Sequence, residues 1–344
     1  MTTSPLRAAG LLTAAAALVL SSTTPAQAAA GDYVALGDSY SADVGTRAKV
    51  DDCYRSPYGY PALVAQTYGL NLDYQACTGA TTSSVIDSQL GTLGSGTGYV
   101  TMTIGGNDVG FSSILTECAQ PGWMSDCEGA IAGGRAILRD QLPGRYDNLF
   151  GQVRTKAANA AVTVGGYPRI FNGEDCNALT FFAPDEQSSL NTATGELNTL
   201  ARGKATGAGF RFVDPTASFT GHAVCDDPEW INGLSNPVEE SYHPNRAGNV
   251  GYANLFGPSV TGRTATAQRS AEPTPQQSPA QRTRAAADRV VAMRLSSPEN
   301  LAKAKAAGLN PSEVRRLDAQ LRSPDTTVVD KALARLRALD RRTS

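Results

Sequence analysis

The chain has 344 residues, 41% of them hydrophobic and 18% charged, with 34 Gly, 19 Pro and 6 Cys, which is enough apolar material for a sizeable core and excludes a wholly disordered or collagen-like chain. Its formal charge of −2 is unevenly spread. Up to residue 260, 14 Lys/Arg stand against 24 Asp/Glu, a net of −10, and from residue 261 onward 16 stand against 8, a net of +8, so the two parts differ in kind.

Residues 1–30 read as an export signal. Arg7 supplies a positive start, Ala8 to Leu20 is an unbroken stretch of Ala, Leu, Gly, Val and one Thr, and small residues close with Ala26-Gln27-Ala28-Ala29-Ala30. A charged head, an apolar stretch too short to span a bilayer and a small-residue exit describe a removable signal peptide rather than a membrane anchor. No later segment approaches the ~20 consecutive apolar residues of a spanning helix, so the mature chain is expected to be secreted, extracellular and soluble.

From Gly31 to about Pro258, short apolar runs alternate with longer amphipathic ones. Tyr33-Val34-Ala35-Leu36 ends in Gly37, Tyr99 to Ile104 ends in Gly105-Gly106, Ala161-Val162-Thr163-Val164 ends in Gly165-Gly166, and Phe210-Arg211-Phe212-Val213 ends in Asp214-Pro215. Each reads as a buried strand closed by turn formers. Helix-like stretches lie between them: Pro57 to Tyr68, Ser83 to Leu90, Ile131 to Lys156 and Pro184 to Ala205. Alternating strands and helices predict a three-layer α/β/α fold with a central, mostly parallel sheet. Ligands of such sheets bind beyond the carboxyl ends of the strands, so chemistry is expected just after each apolar run.

The six cysteines, Cys53, Cys77, Cys118, Cys127, Cys176 and Cys225, all lie in the acidic part; none forms C-x-x-C, and neither His sits at metal-ligand spacing from a Cys pair. A zinc site is therefore not expected, and a framework of three disulfides in an oxidising compartment is. Fifteen pairings are possible, and sequence alone does not choose among them.

The tail is read as a linker over 259–281, rich in Thr, Pro, Gln, Ser and Ala, and a basic extension over 282–344. Arg284 to Leu295, Pro298 to Ala307, Pro311 to Leu321 and Thr327 to Leu339 carry helical patterns, and Ser297-Pro298 and Asn310-Pro311 place a cap before a Pro that suits a first helical turn. A small helical module and a disordered basic extension both fit this pattern. Its charge fits attraction to anionic surfaces, and equally a solvated appendage or one that folds back on its own acidic domain; nothing else in it points to nucleic acid.

Three segments that follow strands stand out. The first strand runs into Gly37-Asp38-Ser39-Tyr40-Ser41, where a Ser at a strand-to-helix turn presents its hydroxyl and its backbone N–H together, as a nucleophile that generates an oxyanion requires. Gly105-Gly106-Asn107-Asp108 offers close backbone approach and an amide donor. The chain has two histidines, and His243, in Ser241-Tyr242-His243-Pro244, stands at a loop-to-helix junction where Pro244 can open the last helix, while His222 has the look of a structural or rim position.

Together with Ala76-Cys77-Thr78-Gly79-Ala80-Thr81-Thr82, these blocks resemble the SGNH, or GDSL-type, serine esterase and lipase family, most closely its secreted actinobacterial members, over about Gly31 to Leu255. The resemblance implies the flavodoxin-like SGNH fold and a carboxylic ester hydrolase that needs no cofactor or metal. It assigns Ser39 as nucleophile, His243 as base, and an oxyanion hole formed by the N–H groups of Ser39 and Gly79 and the side-chain amide of Asn107. It also implies the disulfides Cys53–Cys77, Cys118–Cys127 and Cys176–Cys225.

Two departures matter: Tyr40 replaces the usual Leu, and Glu240 stands where many relatives carry the Asp that orients the base. Either the Glu240 carboxylate or a main-chain carbonyl of Glu240 or Ser241 orients His243, giving a triad or a dyad; the dyad is favoured here. Asp43 replaces a small residue and is expected near the pocket wall. Activity is expected to rise through an imidazole pKa near ~6.5. The expected substrate is a small-molecule or lipid ester handled by a monomer, with carbohydrate O-deacetylation, phospholipid hydrolysis or non-catalytic surface binding as the alternatives.

Overall fold

The computed structural model describes residues 1–2, 32–176, 180–265 and 270–341. The expected signal peptide lies outside the described residues beyond its first two positions, as do parts of the linker and the last three residues of the tail.

β1 (Asp32–Gly37) leads into the one-turn helix α1 (Ser39–Ala42), followed by α2 (Tyr60–Tyr68), β2 (Asn71–Tyr74) and α3 (Thr82–Ser88). Then come β3 (Thr97–Thr103), α4 (Phe111–Cys118), α5 (Cys127–Asp140), α6 (Leu142–Lys156), β4 (Ala161–Gly165), α7 (Pro184–Gly207), β5 (Arg211–Val213) and α8 (Arg246–Thr261). The strands form one sheet in the order β2-β1-β3-β4-β5, every neighbouring pair parallel. In this order the chain winds outward from β1 in both directions, which opens a crevice at the carboxyl ends of β1 and β3.

Side chains alternate across the sheet and divide the helices into two layers. On one face Tyr33, Thr101 and Thr163 meet α2 and α8: Tyr60 Oη donates to Thr101 Oγ1, Thr163 Oγ1 pairs with Ser259 Oγ, and Gly165 leaves room for the Phe256 ring. On the other, Val34, Leu36, Val100, Met102, Val162 and Val164 are buried in the same core as Val85, Leu149, Phe150 and Val153 of α3 and α6.

Three sequence expectations need correction. β2 was not foreseen, because an edge strand reading Asn-Leu-Asp-Tyr has two polar residues in four and none of the continuous apolar character of its neighbours. The single helix expected over Ile131 to Lys156 is two, broken at Gln141. Pro143 sits in the first turn of α6, where its missing N–H costs nothing, but inside a continuous helix its ring would clash with the preceding turn. The last helix of the α/β unit is opened by Asn245, not Pro244, and it runs through Pro258 to Thr261, past the expected boundary at 258. Asn245 Oδ1 accepts the N–H groups of Ala247 and Gly248.

The tail is helical: α9 (Pro279–Ala292), α10 (Pro298–Ala306), α11 (Pro311–Leu321) and α12 (Thr326–Asp340). Ser278, Ser297, Asn310 and Asp325 cap their first turns with side-chain oxygens, each worth ~1 kcal/mol to its helix. A second buried cluster holds Val290, Leu301, Val314, Leu317, Leu333 and Leu336, and it includes Met124 and Phe181 of the α/β unit, so the bundle is docked there. The connecting segment also lies against that unit: Arg246 Nη1 meets Glu272 at 3.1 Å, Arg47 donates to the Pro275 carbonyl, and Gln277 donates to that of Asn236.

Candidate active site

Ser39 stands at the carboxyl end of β1. Gly37, the last strand residue, has φ +119°, and a Cβ there would lie 2.3 Å from the Thr103 carbonyl, so only glycine lets β1 turn beside β3. Asp38 then caps α1, accepting from Tyr40 N at 3.1 Å and from Thr103 Oγ1 at 2.8 Å, while Tyr167 Oη donates to its other oxygen. Burial pushes the Asp38 carboxyl up to about 6, against the lowering effect of those hydrogen bonds.

His243 reaches the same cleft from 204 positions further along the chain. Asn232 N donates to the His243 carbonyl and Tyr242 N to the Asn232 carbonyl, both at 2.9 Å, which holds the loop in an extended pairing. The imidazole Nδ1 lies 2.9 Å from the Ser241 carbonyl and Nε2 lies 2.8 Å from Ser39 Oγ. A carbonyl can only accept, so Nδ1 carries the proton and Nε2 presents its lone pair to the serine hydroxyl. Tyr40, whose ring centroid is 5.2 Å away, helps wall off the imidazole and donates to the Tyr242 carbonyl at 2.7 Å. Desolvation is the main cause that pushes the His243 pKa down to about 4, below the ~6.5 of a solvated imidazole, so the expected titration is corrected downward.

Of the two candidate orienters, Ser241 offers the carbonyl. Glu240 does not reach the ring: its Oε2 lies 3.8 Å from Arg47 Nε, and its main-chain oxygen accepts from Asn232 Nδ2 at 3.3 Å. Asp43, expected near the pocket wall, is not among the residues that line the cleft. It is buried under the site, where its carboxylate takes the Tyr60 N–H and the Tyr74 hydroxyl, and burial raises its pKa. His222 stacks on Trp230 at 4.0 Å, with Nδ1 against the Pro228 carbonyl, and stands apart from the cleft.

Ser39, Gly79 and Asn107, on separate segments, line the same cleft. Among the described residues no acceptor takes the N–H of Ser39 or of Gly79. Gly79 has φ +76° and a Cβ there would meet open space, so its backbone is exposed to the cleft in a conformation that disfavours other residues. Cys77 N bonds the Gly37 carbonyl at 3.1 Å and Thr78 N the Cys53 carbonyl at 3.1 Å, with Cys53 and Cys77 disulfide-linked, so this segment is tied to the end of β1. Asn107 Nδ2 donates to the Ala80 carbonyl at 3.0 Å, which leaves its second N–H for the cleft. Asp108 joins the two loops, accepting from Thr82 N at 2.9 Å and Thr82 Oγ1 at 2.6 Å. The remaining disulfides are Cys118–Cys127 and Cys176–Cys225.

These groups line one cleft of about 270 Å³. A narrow apolar slot shares Tyr40, Gly106, Phe111 and Tyr167 with it and continues between Ile114, Ile131, Leu190 and Leu197. The far wall includes Val238, Glu239 and, from α9 of the bundle, Arg289. Sequence reasoning missed Arg289 and Tyr167; the only signal for the former is a cation on an α9 face that also carries Ala285, Asp288 and Ala292. Among the described residues, no group of three or more His, Cys, Asp or Glu side chains is placed to hold a metal ion.

Comparison with known proteins places this arrangement in context. The sequence profile of the GDSL-like lipase/acylhydrolase family matches residues 35–250. The chain is 40% identical to Lipase 1 of Streptomyces coelicolor over 70% of its own length and 91% of that protein, and 38% identical to a lipase of Streptomyces rimosus over 64% and 82%. Among solved structures it resembles phospholipase A1 from Streptomyces albidoflavus, with a TM-score of 0.62 and 38% identity, across 68% of this chain and 99% of that one. It also resembles the extracellular lipase of Streptomyces rimosus, with a TM-score of 0.63 and 36% identity, across 69% and 100%. The bundle α9–α12 lies beyond the matched family region.

Proposed function

Because this chain belongs to the GDSL-like lipase/acylhydrolase family and is a carboxylic ester hydrolase, we propose that it works through an acyl-enzyme on Ser39, with His243 as base and the Ser241 carbonyl as its orienter. The observation that carries this reading is the 2.8 Å approach of His243 Nε2 to Ser39 Oγ in the tautomer that can accept the hydroxyl proton.

Neutral His243 takes the proton as Ser39 Oγ attacks the ester carbonyl, and the N–H groups of Ser39 and Gly79 with the Asn107 amide receive the developing oxyanion. The imidazolium then protonates the leaving alkoxide, which departs as the alcohol. Water, deprotonated by the same ring, attacks the acyl-enzyme and releases the acid. With His243 held by a main-chain carbonyl, this is a dyad, and Glu240 belongs to the loop's support rather than to the reaction. The acyl chain enters the apolar slot beside Tyr40 and Phe111. Secretion fits the extracellular lipase among its relatives, the three disulfides and the expected leader.

The test is turnover of a short-chain chromogenic ester. Ser39→Ala should lower kcat by at least ~10⁴-fold in a protein that still folds. Turnover that survives the substitution overturns the reading.

A further inference from the structure

We propose that Arg289, carried by the C-terminal bundle, binds a phosphoryl group on the alcohol side of the ester, so that this enzyme selects anionic amphiphiles of the glycerophospholipid class over neutral esters. The inference rests on Ser39 being the nucleophile of the same cleft.

Arg289 lines the cleft together with Ser39, Gly79, Asn107 and His243, although it comes from a region beyond the matched family segment. Its Nε is buried and, among the described residues, has no hydrogen-bond partner. Glu239 and Asp288 face the same space, yet among the described residues neither makes an ion pair with it. A buried guanidinium donor without an acceptor is costly unless something else supplies one. Beyond Arg289 the cleft opens into a second cavity of about 670 Å³ between α9, Thr116 of α4 and the 235–239 loop, with room for a polar group too large for the apolar slot.

The cleft that holds the catalytic serine therefore adjoins an apolar slot and is also lined by a cation whose buried Nε lacks an acceptor among the described residues. A substrate that satisfies both has an acyl chain on one side of its ester carbonyl and an anion a few atoms beyond the ester oxygen, which describes a glycerophospholipid. The planar fork of arginine matches phosphate oxygens in a way that a lysine cannot.

The test compares kcat/KM for dihexanoyl phosphatidylglycerol, kept below its micellar threshold, with that for dihexanoylglycerol, using the whole mature protein. Arg289→Met should lower the anionic-to-neutral ratio about 10- to 100-fold, and Arg289→Lys should keep part of it. Partial misfolding would lower both rates alike and leave the ratio unchanged, so the ratio reads the contact itself. Should no variant fold, a fall of the wild-type ratio with added salt carries the test, and a salt-independent ratio then overturns the proposal. A ratio that does not depend on Arg289 overturns it too, including the case where the arginine serves free phosphate and inorganic phosphate alters neutral-ester turnover instead. Wild-type protein that hydrolyses neither substrate fails the hydrolytic reading itself, whereas intact neutral turnover with an unchanged ratio fails only this proposal.

Discussion

The α/β unit and the C-terminal bundle solve different problems with different means. The first is acidic and holds all six cysteines, and its parallel sheet, buried on both faces, brings Ser39 and His243 to 2.8 Å although 204 positions separate them. The second is basic, has no cysteine, and is built from short capped helices that pack locally through Val, Leu and Ala. Long-range order of the first kind fixes the reacting atoms. The bundle adds one side chain to the cleft wall, so it bears on which ester is accepted rather than on how the bond breaks.

Short of removing the nucleophile itself, the largest expected effect breaks the α/β side of this contrast. Asn107→Ala should cost about 10²- to 10³-fold in kcat with the fold intact, read by ester kinetics alongside circular dichroism. On the bundle side, Leu333 is 3% exposed in its core, and Leu333→Ala should lower the bundle's stability by about 2–5 kcal/mol in chemical denaturation while neutral-ester turnover stays unchanged. If turnover falls in step with that stability, the two regions are not separable. The pH profile sharpens the account of the base. Since His243 must be neutral and burial holds its pKa near 4, kcat/KM should climb as pH rises through about 4 and level off above it, and a midpoint near ~6.5 would show a solvated ring. The smallest effect is expected from Glu240→Gln. Its carboxylate faces Arg47 and not the imidazole, so kcat should change only severalfold, whereas a loss near that of Asn107→Ala would restore a triad.

Four strands were legible because each is an apolar run closed by glycine or Asp-Pro, and a buried parallel sheet writes itself into the chain in that form. β2 was not, since two of its four residues, Asn71 and Asp73, are polar. The break at Gln141 was hidden by an amphipathic pattern that continues across it, although Pro143 marked the place. At the site, Ser39, Asn107 and His243 stood out in segments beside the ends of strands or the start of a helix, whereas Gly79 came only from the family resemblance. What could not be read depends on partners distant in sequence: Arg47 drawing Glu240 away, Tyr74 and Tyr60 claiming Asp43, Tyr40 drying the imidazole, and a docked helix that brings Arg289 to the cleft.

The central claim is that a single activated hydroxyl carries the acyl group. Treating the protein with a fluorophosphonate and mapping the adduct by peptide mass spectrometry tests it most directly. One adduct, on the peptide that contains Ser39 and absent from Ser39→Ala, is the expected result. A label on any other residue, or none while ester turnover continues, would contradict the account.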